Sequence, residues 1–137
     1  MTRPIQIVLS IFILIFTLIG CSEIKTNDAN KAYKHWAGTY PPKDLNILNG
    51  RYWESAHWTK EYIIFLKLKP TKEWWDKFLK QNDISVDKGE WTAPSDAPDW
   101  FNPTKNTIRY DGRDHFNQSR YFRDTLTGVC FIYEIQL

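Results

Sequence analysis

Apolar and polar residues change their period several times along the chain, and each change marks an element. Ile5 to Ile19 is apolar except for Gln6, Ser10 and Thr17, with no polar face. Ser22 to Lys31 is polar and aperiodic, carrying Glu23, Lys25, Asn27, Asp28 and Asn30, and reads as a flexible tether. Tyr33, Trp36 and Tyr40 then recur at helical spacing before Pro41-Pro42 and predict one short helix. Arg51 to Trp58 alternates weakly. Tyr62 to Lys69 alternates clearly and predicts a strand, with Tyr62, Ile64, Leu66 and Leu68 on one face and Ile63, Phe65, Lys67 and Lys69 on the other.

After Pro70 the period becomes helical. Trp74, Trp75, Phe78 and Leu79 group on one stripe, while Lys72, Glu73, Asp76, Lys77 and Lys80 occupy the rest. Thr71 is placed to cap this amphipathic helix, and Glu73 suits the positive end of its dipole. From Asn82 to Gln118, Gly89, Pro94, Pro98, Pro103 and Gly112 predict long connections, with short strands near Glu90 and Arg109. Ser119 to Arg123 and Val129 to Leu137 flank a turn in which Gly128 supplies a positive φ, which predicts a hairpin. In its second strand Val129, Phe131, Tyr133, Ile135 and Leu137 oppose Cys130, Ile132, Glu134 and Gln136. The assembled expectation is an α+β fold: a small antiparallel sheet, one amphipathic helix packed on one face and a C-terminal β-hairpin.

The amino-terminal run follows Arg3 and ends at Gly20-Cys21, giving a basic start, an apolar middle and a small-residue cleavage site. At about 15 residues the run is short of the roughly 20 that span a bilayer as a helix. Leu18-Ile19-Gly20-Cys21 resembles the lipobox of bacterial lipoproteins. The resemblance implies that the Cys21 thiol receives palmitate-type acyl chains and that the chain is cut on its amino side. It implies a membrane-anchored location in the cell envelope. In a Gram-negative host, Ser22 beside the lipidated cysteine implies the periplasmic side of the outer membrane. The resulting organisation is a lipoprotein signal peptide over 1–20, a flexible tether over 21–32 and a single α+β domain over 33–137.

Charge adds little to this picture. Eighteen Lys and Arg against 16 Asp and Glu give a formal charge of +2, too balanced for a nucleic-acid binder that relies on phosphate neutralisation. Seven Trp, all beyond residue 21, predict a Trp-rich core that stabilises a small domain without disulfides. With Cys21 acylated, Cys130 has no partner cysteine in the chain.

Candidate chemistry is sparse. His35, His57 and His115 stand too far apart for a short metal-ligand motif, so neither a metal site nor a cofactor is expected. Cys130 with His115 would imitate a thiol hydrolase, but its strand context favours an inert core thiol. Ser95 and Ser119 lack a nucleophile elbow. Asp111 with Asp114, and Asp96 with Asp99, read more simply as turn residues than as catalytic or calcium-binding carboxylates. Arg109, Arg113, Arg120 and Arg123 are interleaved with Asp111, Asp114 and Asp124, which favours cross-strand ion pairs over anion recognition. The most distinctive internal segment runs from Ala93 to Pro103. There Trp100 and Phe101 sit between prolines, either presented to a ligand as candidate binding residues or pinning the loop to the core.

Trp91 to Pro103, Ser119 to Asp124 and Gly128 to Glu134 together resemble small uncharacterised lipoproteins of bacterial envelopes. That resemblance implies fold and location only. The first functional expectation is a non-enzymatic, membrane-anchored module that binds an envelope protein, as an inhibitor or immunity-like protein does. The alternative is a glycan- or cell-wall-binding module, and a small hydrolase ranks below both.

Overall fold

The computed structural model describes residues 22–112 and 118–137. Its elements are β1 (Ile24–Thr26), α1 (Ala29–Ala37), β2 (Asn46–Glu54), β3 (Tyr62–Lys69), α2 (Lys72–Gln81), β4 (Ser85–Val86), β5 (Thr107–Asp111), β6 (Arg120–Asp124) and β7 (Cys130–Gln136). The strands form one sheet in the order β1-β2-β3-β7-β6-β5-β4, with every neighbouring pair antiparallel. This corrects the expected α+β fold with a small sheet and one helix. Among the described residues the fold is sheet-dominated, with two short helices.

Backbone pairing explains why the sheet exceeds its sequence signal. β2 contains Asn46, Asn49 and Gly50, so its side chains alternate poorly, yet it pairs with β3 from Asn46↔Lys69 to Glu54↔Tyr62. Ladder hydrogen bonds need main-chain groups rather than apolar side chains. The same reasoning corrects the expected tether. Ile24 pairs with Glu54 and Thr26 with Tyr52, so the described part of this segment, 22–32, contains β1 and the first turn of α1.

Both faces of the central strands are covered. On one face Ile64, Leu66 and Leu68 of β3 and Cys130 and Ile132 of β7 pack with Ala32 and Tyr33 of α1 and Trp75 of α2. On the other, Phe65, Phe122, Phe131 and Tyr133 pack against Phe101, Trp91 and Trp100, carried by the connection between β4 and β5. A long connection therefore substitutes for a second helical layer. Phe101 is its plug: the ring lies 5.1 Å from Phe65, 5.5 Å from Phe131 and 6.0 Å from Phe122, edge-on to each.

Local chemistry fixes the helix ends. Asp28 caps α1 by accepting the Lys31 N–H at 2.8 Å, and Gly38, at φ 78°, closes it in the left-handed region. The helix thus begins four residues before Tyr33, and Tyr40 lies beyond it with the Lys34 ammonium 4.5 Å from its ring centroid. Thr71 caps α2 by accepting the Trp74 N–H at 3.1 Å. α1 crosses the sheet at Gly50, where a Cβ would stand 2.8 Å from Ala32 Cβ and 3.0 Å from Ala29 Cα. Only glycine permits that approach.

The C-terminal hairpin has its turn at Asp124 to Val129. The Asp124 carboxylate accepts the Leu126 and Thr127 N–H groups at 2.8 and 2.9 Å, and Gly128 sits at φ 74°. Thr104 donates its hydroxyl to the same carboxylate at 2.7 Å, tying the covering connection to the turn. These bonds hold the Asp124 carboxyl below the usual carboxylate range, the Thr104 hydroxyl contributing most. At its other end the connection is fixed by Asp87, which accepts from Arg109 at 2.8 Å and Arg120 at 3.0 Å.

A groove beside the amino-terminal strand

The covering connection does not reach the whole sheet. It leaves a groove of about 590 Å³ between β1, the end of β2, Ile63 of β3 and Asp96. Antiparallel pairing places Lys25 opposite Trp53 and Trp53 opposite Ile63, so these side chains form one row on the same face. Trp53 and Ile63 supply the apolar surface, and the rim carries Lys25, Arg51 and Asp96.

The rim charges are held. Arg51 donates to the Asp96 carbonyl, lies 3.6 Å from the Asp96 carboxylate and spreads over the Phe65 ring at 4.8 Å. Glu23 accepts from the Trp53 indole N–H and pairs with Lys25 at 3.2 Å. The indole hydrogen bond first, and Lys25 after it, hold the Glu23 carboxyl below the ordinary range. The groove thus combines an apolar floor with charges of both signs, a pattern suited to a protein segment carrying one apolar anchor and polar flanks.

On the helix face a second polar constellation forms around Glu134 of β7. Its carboxylate accepts from Trp36 Nε1 at 2.7 Å, Tyr121 Oη at 2.7 Å and Tyr62 Oη at 3.1 Å. One side chain therefore joins α1, β3, β6 and β7. Burial first, and the Glu134 charge after it, push the Tyr121 and Tyr62 phenols well above their usual range. Strand alternation places Glu134 opposite Phe131 and Tyr133, but the three aromatic donors come from distant segments, so no local motif signals the cluster.

The sequence candidates fall in several places. Phe101 is 5% exposed and Trp100 is half-buried against it at 6.3 Å, so the pair does not form an exposed aromatic patch. They pin the connection to the sheet, because packing these rings there removes their apolar area from water. Cys130 is fully buried, with burial pushing its thiol up to about 12 against the opposing pull of Arg123. Such a thiol supplies no thiolate nucleophile near neutral pH. His35 stacks on Tyr52 at 5.1 Å, His57 lies in the exposed β2–β3 turn, and Asp111 pairs with Arg120 at 3.3 Å. Cys21, Arg113, Asp114 and His115 lie outside the described residues. Among the described residues no group of three or more His, Cys, Asp or Glu side chains is arranged to hold a metal ion.

The groove was not legible in the sequence, because Lys25, Trp53, Ile63 and Asp96 meet only through strand pairing and the return of the connection. No family model matches the chain, and no curated protein or solved structure matches it.

Proposed function

We propose that this protein is a lipoprotein of the bacterial envelope, acylated on Cys21, whose domain binds an envelope protein at the membrane surface without catalysing a reaction. The observation that carries the reading is the position of the groove. Its wall is built from Lys25, Thr26 and Asn27, within six residues of Cys21. A partner seated there would be met beside the bilayer, where tethering raises the effective concentration of the module. The apolar Trp53–Ile63 floor and the Arg51–Asp96 rim support recognition of a protein segment, as in an inhibitor or immunity-like protein.

The test places a photo-cross-linking side chain at exposed Lys25 in the full chain in native membranes. A cross-link to one envelope protein that is lost on Trp53→Ala and weakened on Arg51→Glu, but kept on Trp100→Ala, is the expected result. Indifference to Trp53→Ala would overturn the groove assignment. The Trp53 ring on the groove surface favours a glycan as the second reading, and Trp53-dependent retention on purified cell wall without any protein cross-link would establish it. Mass spectrometry of the mature chain tests acylation at Cys21 separately.

A further inference from the structure

We propose that the β2–β3 turn is a second membrane contact, in which Trp58 enters the headgroup region of the bilayer next to the acylated amino terminus. This rests on the tethered reading above and adds a surface to it. Trp58 is 96% exposed, more than any other large hydrophobic residue described, although each of the other six Trp is at least half-buried. The turn that carries it is ordered by the chain itself. Ser55 N–H donates to Glu61 O at 2.8 Å, and Lys60 N–H donates to His57 O at 3.1 Å, which puts Trp58 and Thr59 at the two central positions of a tight turn. Lys60 adopts φ 49° to close it.

Strand register sets the direction in which this turn points. Ile24 pairs with Glu54, so Ser22 and Glu23, one and two residues after Cys21, lie at the same end of the sheet as residues 55–61. Tyr62 pairs with Gln136, so exposed Leu137 belongs to that end as well. An acyl chain on Cys21 would hold this end of the sheet against the bilayer, and the indole that the hairpin extends is there. Tryptophan favours that interface because its ring is apolar while its N–H can stay hydrated. Acyl chains on Cys21 supply the anchoring, and a second contact at Trp58 would fix how this end of the sheet sits on the bilayer. A protein docking on Trp58 instead would have to share this end with the lipid.

The test uses the protein purified from native membranes, placed in vesicles of phosphatidylethanolamine and phosphatidylglycerol with and without brominated acyl chains. Bromine near the headgroup region should quench a fluorescence component that is present in the wild type and missing from Trp58→Ala. A relocated indole provides the control. Leu126 is 77% exposed in the β6–β7 turn, at the opposite end of the sheet by the pairing of Arg123 with Cys130 and of Leu68 with Cys130. A Trp58→Ala/Leu126→Trp variant should show no added quenching. Equal quenching of wild type and Trp58→Ala, or equal quenching of a tryptophan at 126, overturns the proposal. The mass of the Cys21 peptide is read on the same samples. An unacylated Cys21 refutes the tether whatever Trp58 does, and an acylated Cys21 with no Trp58-dependent quenching refutes only the second contact.

Discussion

Replacing Glu134 by Leu keeps most of the side-chain volume and removes the acceptor shared by Trp36, Tyr62 and Tyr121. The Tyr121 hydroxyl belongs to a buried residue and would lose its acceptor, a cost of about 1–3 kcal/mol. Trp36 and Tyr62 are half-buried and can turn toward water, so each contributes about 0.5–1 kcal/mol. Relief of the partly desolvated carboxylate offsets some of this. The expected net loss is about 2–3 kcal/mol, which for a domain of this size lowers Tm by roughly 6–15 °C. Urea denaturation of the full chain in detergent micelles, followed by tryptophan fluorescence, measures it.

A cycle with Tyr121→Phe sharpens the test. If Tyr121 spends its hydrogen bond on Glu134, the two substitutions together cost less than the sum of their separate effects by about 1 kcal/mol. A second readout comes from alkali. Tyr62 and Tyr121 have phenols raised above the unfolded value, so their contribution is complete below about pH 10 and is lost as pH rises beyond it. Glu134→Leu should flatten that alkaline loss, because the nearby negative charge is part of what raises both phenols. Strict additivity in the cycle, or a Glu134→Leu protein within 0.5 kcal/mol of wild type, would refute the assignment of this carboxylate as a cross-element clamp.

Three further outcomes follow from the packing. Gly50→Ala forces a methyl group to within 2.8 Å of Ala32 Cβ and should cost about 1–3 kcal/mol in urea denaturation, with partial recovery in a Gly50→Ala/Ala32→Gly double variant. Phe101→Ala should cost about 3–5 kcal/mol and expose the 87–106 connection to protease while α2 stays protected, since Phe101 is that connection's buried plug. Cys130 should resist iodoacetamide at pH 8 in the folded chain and react fully in urea, and rapid labelling without denaturant would contradict its burial.

The apolar stripe Trp74, Trp75, Phe78 and Leu79 determined α2 without help, and Thr71 determined where it starts, because both depend on residues within one or two turns. The alternation of β3 and the Asp124-to-Gly128 turn were equally local, so the place of the C-terminal hairpin was legible, while its register, with Arg123 opposite Cys130, came from the structure. β1 and the first half of β2 were not legible. Lys25, Thr26, Asn46, Asn49 and Gly50 leave too few apolar residues there to alternate, and the hydrogen bonds that make them strands come from a neighbour distant in sequence. That neighbour also turned Trp100 and Phe101 inward, decided which of seven tryptophans stayed in water, and brought Lys25, Trp53 and Asp96 to one groove. Sequence period reports which face of an element is apolar, whereas sheet order decides what covers that face, and coverage is a property of the whole chain.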